Sequence, residues 1–271
     1  MTVLPFAQID AFASRAFEGN PACVVQMKAF LADETLQAIA AENNVSETAF
    51  IVPVTEGHWQ LRWFTPDTEV PLCGHATLAA AHWLIAKGGY GDGLIRFQTR
   101  QSGVLTVRRT SDGRLEMDFP AVPATRVDTP DALVAALGVR PSAVFAGGYL
   151  AALFDTPEAV MALDPDLRAL GEVEGAELEP GCIGCLAPGG PNDADVTSRF
   201  FGPGVGIPED PATGSWHCLV APLMAPRLGK KALACFQAYP GRGAWIGVED
   251  RGGRVGLTGR AITVIEGHFH L

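Results

Sequence analysis

The chain has no Lys/Arg-rich run, and its 20 basic residues are outnumbered by 30 acidic ones, for a formal charge of −10. A surface of that sign is a poor partner for nucleic acid or an anionic membrane, so the expected ligand is small. An anionic ligand would have to be held by local donors against the overall field. Long apolar runs are also missing. The longest, "ATLAAAHWLIA", is interrupted by His82 and falls short of the ~18 residues of a membrane span. The first residues, "MTVLPFAQID", have no basic stretch ahead of their apolar part, which excludes a signal peptide and reads as a cytoplasmic protein. Low-complexity segments are absent. So is a second cysteine pair. "CIGC" at 182–185 stands alone, which leaves a four-ligand zinc site unfilled, and the two thiols read as small buried side chains at a strand end.

What is present is a length of 271 residues, enough for one large domain or two of about 130 residues each. Alternation of Trp59, Leu61 and Trp63 with Gln60 and Arg62 predicts a strand. "GVLTVRRTSDGRLEMDF" predicts a hairpin turning at Asp112-Gly113, and "RVGLTGRAITVIEGHFHL" a strand-turn-strand unit. Helices are fewer. "DETLQAIAAENN" is expected to be capped by Asp33, "TPDALVAALG" to be capped by Thr129 and stopped by Gly138, and a third helix follows Gly74. Strands with interspersed helices make the chain α+β. The boundary falls in "FPAVPATRVDTP", giving an N-terminal half at 1–120 and a C-terminal half at 121–261. The last strand, about 262–271, is expected to pack back on the first half.

The sequence echoes itself. "FTPDTEVPLCGHATLAAAHWL" and "FFGPGVGIPEDPATGSWHCLV" share one grammar: Phe-x-Pro, an acidic loop with proline, a glycine among polar residues, then an apolar run. Each predicts a loop that enters a helix. A helix N-terminus offers unpaired N–H groups and a positive dipole end, a fit for a carboxylate. Gly74 and Gly214 permit close backbone approach there, and Thr77, Thr213 and Ser215 add donors. Glu47, in "NNVSETAF", lies where a polar loop passes into an apolar strand, a position suited to general acid–base work. His75 and Asp210 fall in the two echoes; if the halves face each other, Asp210 can accept a hydrogen bond from His75. His217 lies inside the apolar run and reads as structural. Cys73 precedes Gly74, where a helix start would stabilise a thiolate, and is a candidate proton carrier. Glu209 reads as a surface or helix-start charge.

"EGNPACVV", "NNVSETAFIV", "FTPDTEVPLCGHATLAAA", "FFGPGVGIPEDPATGSWHC" and "GGRVGLTGRAITVIEG" occur in the order seen in the phenazine-biosynthesis F-type (PhzF-like) isomerases, which the chain resembles over nearly its whole length. The resemblance implies a diaminopimelate-epimerase-like fold: two pseudo-symmetric halves, each a curved, mostly antiparallel sheet around a central helix, with the active site in a cleft between them. It implies a homodimer acting on a small anionic metabolite without metal or organic cofactor. It also implies that Glu47 is the acid–base group assisted by His75 and Asp210, and that Asn20, Gly74, Thr213, Gly214 and Ser215 hold the substrate. The related epimerases use two cysteines. Cys73 matches the first position, but Pro211 stands at the second, which disfavours a two-thiol racemase. Two other readings remain open: a racemase or epimerase using Cys73, and a binder of an anionic metabolite that does no chemistry. "GCIGCLAPG" departs from the family's pattern in a strand expected near the site.

Overall fold

The computed structural model describes residues 2–88, 90, 93–175 and 180–271. The chain divides into two compact units, Met1–Asp118 with Thr258–Leu271, and Phe119–Leu257.

Along the first part of the chain run β1 (Val3–Ala11), β2 (Asn20–Gln26), α1 (Asp33–Asn43), β3 (Glu47–Thr55), β4 (His58–Phe64), β5 (Glu69–Val70), α2 (Gly74–Gly88), β6 (Leu94–Gln98), β7 (Val104–Arg109) and β8 (Leu115–Pro120). There follow β9 (Thr125–Val127), α3 (Asp131–Leu137), β10 (Ala143–Ala146), β11 (Leu150–Leu153), α4 (Pro157–Met161), α5 (Leu167–Gly171), β12 (Ile183–Pro188), β13 (Val196–Gly202), β14 (Ile207–Asp210), α6 (Gly214–Leu228), β15 (Ala232–Tyr239) and β16 (Arg242–Asp250). The chain closes with β17 (Arg254–Gly259) and β18 (Ala261–His270).

Strand pairing repeats from one unit to the other. β1 and β2 are antiparallel, β2 and β3 parallel, β3 and β4 antiparallel, β4 and β6 parallel, β6 and β7 antiparallel. The same sequence of senses recurs in β10·β11, β11·β12, β12·β13, β13·β15 and β15·β16. In both repeats the segment between the parallel strands 4 and 6, or 13 and 15, carries a short strand and then a long helix. β18 returns to pair with β1 from Val3↔His270 to Ala11↔Ala261.

The two long helices are apolar nearly all round, as befits helices wrapped by sheet. In α2, Ala76, Leu78, Ala79, Ala80 and Ala81 are fully buried, and the helix packs on β1, β2, β3 and β18. α6 packs on β15 and β16 and continues through Pro222. Proline has no N–H to give to the carbonyl one turn back, and that carbonyl, Cys218, instead accepts the N–H of Val122 at 3.0 Å. A second core surrounds α1, whose Leu36, Ile39 and Ala40 meet Phe50 and Phe64, and a third gathers Leu133, Leu137, Val160 and Leu170 on Ile183 and Phe201.

Two caps differ from expectation. α1 is capped by Ala32, not Asp33, whose carboxylate instead takes Arg62 Nη1 at 2.8 Å. α3 begins after Pro130 with no side-chain cap, so Thr129 lies one residue too early; Gly138 does end the helix, at φ +70°. The 103–119 hairpin forms with Val107 opposite Met117 and Gly113 at φ +79°. Among the described residues no helix is long and apolar enough to cross a membrane.

Candidate active site

In the N-terminal unit, three segments far apart in sequence meet at the start of α2. β3 begins at Glu47, opposite Ala22 of β2, and burial rises from 12% exposure of the Glu47 side chain to essentially none at Thr48, Ala49 and Phe50. Cys73 caps α2: its carbonyl accepts Thr77 N–H at 3.2 Å and Thr77 Oγ1 at 2.5 Å. His75, in the first turn, has a partner on each ring nitrogen. Nε2 lies 3.0 Å from Glu47 Oε2, while Nδ1 lies 3.5 Å from Cys73 Sγ and 3.4 Å from the Asn20 amide nitrogen. Ser46 donates its hydroxyl to Asn20 Oδ1 at 2.8 Å, which turns the amide nitrogen toward the imidazole.

Burial disfavours the imidazolium form of His75, but the Cys73 sulfur and the Glu47 carboxylate outweigh it, so His75 titrates well above the ordinary histidine range. Cys73 behaves opposite to expectation. Burial and then the Glu47 charge push its thiol up, and His75 offsets only part of this. The favourable end of one helix does not compensate for removing a thiolate from water. Ligand atoms of Glu47, Cys73 and His75 lie within 4.8 Å of one another, a carboxylate, thiol and imidazole set of the kind that zinc accepts.

The C-terminal unit builds the corresponding helix start from different chemistry. Thr213, ahead of α6, gives its hydroxyl to Asp210 Oδ2 at 2.5 Å and so does not cap the helix. Gln237, on β15 and fully buried, holds the turn from below. Its Oε1 accepts Thr213 N–H at 2.9 Å, and its Nε2 donates to the Asp210 carbonyl at 2.7 Å and to Thr213 Oγ1 at 3.1 Å. Ser215 Oγ accepts the Tyr149 hydroxyl at 2.9 Å, and the Tyr149 ring stands edge-on to Phe200 and Trp216. His217 is structural: its Nδ1–H donates to the Thr213 carbonyl at 2.8 Å, and burial depresses its pKa to about 4, so it stays neutral.

The structure thus brings Asn20, Glu47, Cys73, Gly74 and His75 together in one unit, and Asp210, Thr213, Gly214 and Ser215 in the other. Ser46, Tyr149 and Gln237 went unread in the sequence. A lone serine, tyrosine or glutamine carries no local mark of the partner it meets across a sheet. Glu209 is corrected: its carboxylate forms a two-bond pair with Arg199, at 2.7 and 2.9 Å, and is only 12% exposed. The N-terminal echo has the same device, Arg62 with Glu69 at 2.7 Å in both bonds. Each arginine stands two residues before the echo's phenylalanine and lies over its ring, Arg62 over Phe64 at 5.0 Å and Arg199 over Phe201 at 4.8 Å. That shared Arg-x-Phe spacing was the available signal. Cys182 and Cys185 are buried at the start of β12, and burial lifts the Cys185 thiol to about 12. Beside them, a Cβ on Gly184 would sit 2.3 Å from the Trp216 indole, so the glycine makes room for that ring.

A family model described as phenazine biosynthesis-like protein (PhzC-PhzF) matches residues 9–267. An uncharacterized isomerase of Pseudomonas aeruginosa is 44% identical over 268 residues, 99% of each chain. A crystal structure from Enterococcus faecalis, described as a phenazine biosynthesis protein of the PhzF family, superposes with a TM-score of 0.93 at 34% identity and full coverage of both chains. At 11% identity, a hydroxyproline epimerase of Agrobacterium vitis superposes with a TM-score of 0.63 over 98% of this chain and 92% of its own, a likeness of fold alone. The fold is α+β and diaminopimelate-epimerase-like.

Proposed function

The chain belongs to the phenazine biosynthesis-like (PhzC-PhzF) family, and from that premise we propose that this isomerase moves a proton on a small carboxylate-bearing substrate, amino-acid-like or cyclic dienoic, with Glu47 as general acid and base. The observation that carries the reading is the contact of Glu47 Oε2 with His75 Nε2 at 3.0 Å, at a carboxylate still 12% exposed. One oxygen lies against the imidazole, and the other takes the proton from carbon.

Glu47 removes a proton from a carbon made acidic by a conjugated carboxyl group, then returns it to another carbon of the same system. A protonated His75 beside Glu47 opposes negative charge that develops on the substrate. We assign substrate holding to Asn20, Gly74, Thr213, Gly214 and Ser215, with Asp210 assisting. The free N–H groups at the head of α6, which Thr213 leaves uncapped, suit a carboxylate.

A positioned acid–base group contributes roughly 10²–10⁴ in rate, so Glu47→Gln should lose about that much turnover while keeping its circular dichroism and melting behaviour. The measurement is deuterium uptake from heavy water into candidate substrates, followed by NMR; wild-type uptake in the variant would remove Glu47 from the role. The second reading, epimerisation, is favoured by Cys73 Sγ standing 3.5 Å from His75 Nδ1. Product analysis separates the two, since a proton shift moves a double bond and an epimerisation inverts a stereocentre.

A further inference from the structure

We propose that Glu47, Cys73 and His75 form a binding site for a thiophilic divalent cation, Zn²⁺ above all, and that this cation competes with the proton transfer. Two atoms of the cluster are at odds with the rest of the core. Glu47 Oε2 and His75 Nε2 lie 3.0 Å apart and are shielded from solvent, yet neither has a hydrogen-bond partner. They stand close without the alignment that a hydrogen bond requires. Buried polar atoms are nearly always partnered, and two that are not, side by side, point to a further atom that both address. His75 itself is only 5% exposed.

The Cys73 sulfur completes the set. One ligand atom from each of the three residues lies within 4.8 Å of the other two. Tetrahedral zinc, with Zn–N and Zn–O bonds of about 2.1 Å and a Zn–S bond of about 2.3 Å, sets its ligand atoms about 3.4–3.6 Å apart. The nitrogen–oxygen pair is slightly closer than that, and the widest separation in the cluster exceeds it by about 1 Å, a gap that one cysteine torsion covers. Ligation through Nε2 requires the ring hydrogen on Nδ1, where the Asn20 amide stands at 3.4 Å. Turning that amide over presents Oδ1 to Nδ1–H and the NH₂ group to the Ser46 oxygen, its present neighbour at 2.8 Å.

The ligand types choose the ion. Magnesium and calcium take oxygen ligands, whereas a thiolate with an imidazole and a carboxylate suits zinc. Charge balances: one thiolate and one carboxylate neutralise a 2+ ion, the thiol proton passes to water, and nothing is oxidised or reduced. The formal charge of −10 that repels anions draws cations. Three protein ligands leave a fourth position for water. A cation on Oε2 withdraws electron density from the carboxylate and stops it taking a proton. That competition rests on the reading of Glu47 as the base; the site itself does not.

The test is titration of the folded, full-length protein with Co²⁺, whose absorption reports its ligands, followed by Zn²⁺ in competition with a chromophoric chelator. One cobalt should bind, with a thiolate-to-cobalt charge-transfer band in the near ultraviolet and the intense visible bands of four-coordination. Cys73→Ser should abolish the charge-transfer band. Cys73→Ser, His75→Gln and Glu47→Gln should each weaken zinc at least tenfold, and Cys182→Ser should change neither band nor affinity. A metal held only by surface imidazoles, such as the exposed His268 and His270, gives no thiolate band. No band in the wild type, its survival in Cys73→Ser, or an unchanged zinc affinity in Glu47→Gln would overturn the site; if His75→Gln does not fold, the other two variants decide. The competition is read separately, from deuterium uptake with and without zinc. Uptake lost at saturating zinc and restored by a chelator supports it. Undiminished uptake overturns the competition and counts against Glu47 as the base, while the spectra alone decide the site.

Discussion

With a carboxylate near one ring nitrogen and a thiol near the other, His75 is biased by the fold toward its protonated form. Its folded-state pKa lies above its ordinary value of 6.5. Protonated His75 therefore stabilises the fold fully below about pH 6.5, and that stabilisation is lost as pH rises through the folded-state value. The melting temperature should fall on the alkaline side of neutrality, and His75→Gln should flatten that limb; calorimetry between pH 6 and 10 measures both. Gln237 is the structural counterpart in the other unit. Gln237→Leu strips a buried partner from Thr213 N–H and from the Asp210 carbonyl. With two groups unsatisfied at ~1–3 kcal/mol each, the expected loss is about 2–6 kcal/mol by urea denaturation. Turnover should fall with it, because Asp210 loses its seat.

At the scale of elements, each loop that enters a long helix is braced by an Arg–Glu pair on the strand before it. Arg199 joins β13 to Glu209 on β14 and also reaches the Leu163 carbonyl at 2.5 Å; Arg62 joins β4 to Glu69 on β5. The braces explain why charged residues persist in strands that otherwise read as core. Both members of the C-terminal pair are about nine-tenths buried, so removing one strands the other. Arg199→Met should cost about 3–5 kcal/mol, and adding Glu209→Leu should recover much of it, because an uncompensated buried charge costs more than a missing pair. Thermal unfolding of the single and double variants makes the comparison.

At the scale of the whole chain, the N-terminal unit is completed by its last residues. β1 lies between β2 and β18, and its pairing with β18 runs the length of the strand. Removal of residues 261–271 leaves β1 as an unpaired edge and uncovers part of α2, which packs on β18. The truncated chain should lose cooperative unfolding of residues 1–118 and become cleavable there by limited proteolysis, with Phe119–Leu257 more resistant. An unchanged digestion pattern would mean that β18 is dispensable. Much of this architecture could be read in advance from particular residues. Trp59, Leu61 and Trp63 announced β4 by alternation, Asp112-Gly113 announced the 103–119 turn, and the repeated Phe-x-Pro and glycine pattern announced two helix entrances. The short helices α4 and α5 gave too few turns for a period to show.

The amino-acid order alone determined the α+β class, the repeated helix entrance and the family, because each depends on residues within a few positions of one another. It also placed Glu47, Cys73, His75, Asp210 and Ser215 in chemically suggestive settings. Only the tertiary structure decided what those residues touch. Strand register brought Glu47 to Nε2 of His75 and left Nδ1 for Cys73 and Asn20. It turned Glu209 inward to Arg199 and set Gln237 beneath Thr213. It also decided the sign of the Cys73 shift. A helix start favours a thiolate locally, but how far a thiol is removed from water is a property of everything packed around it.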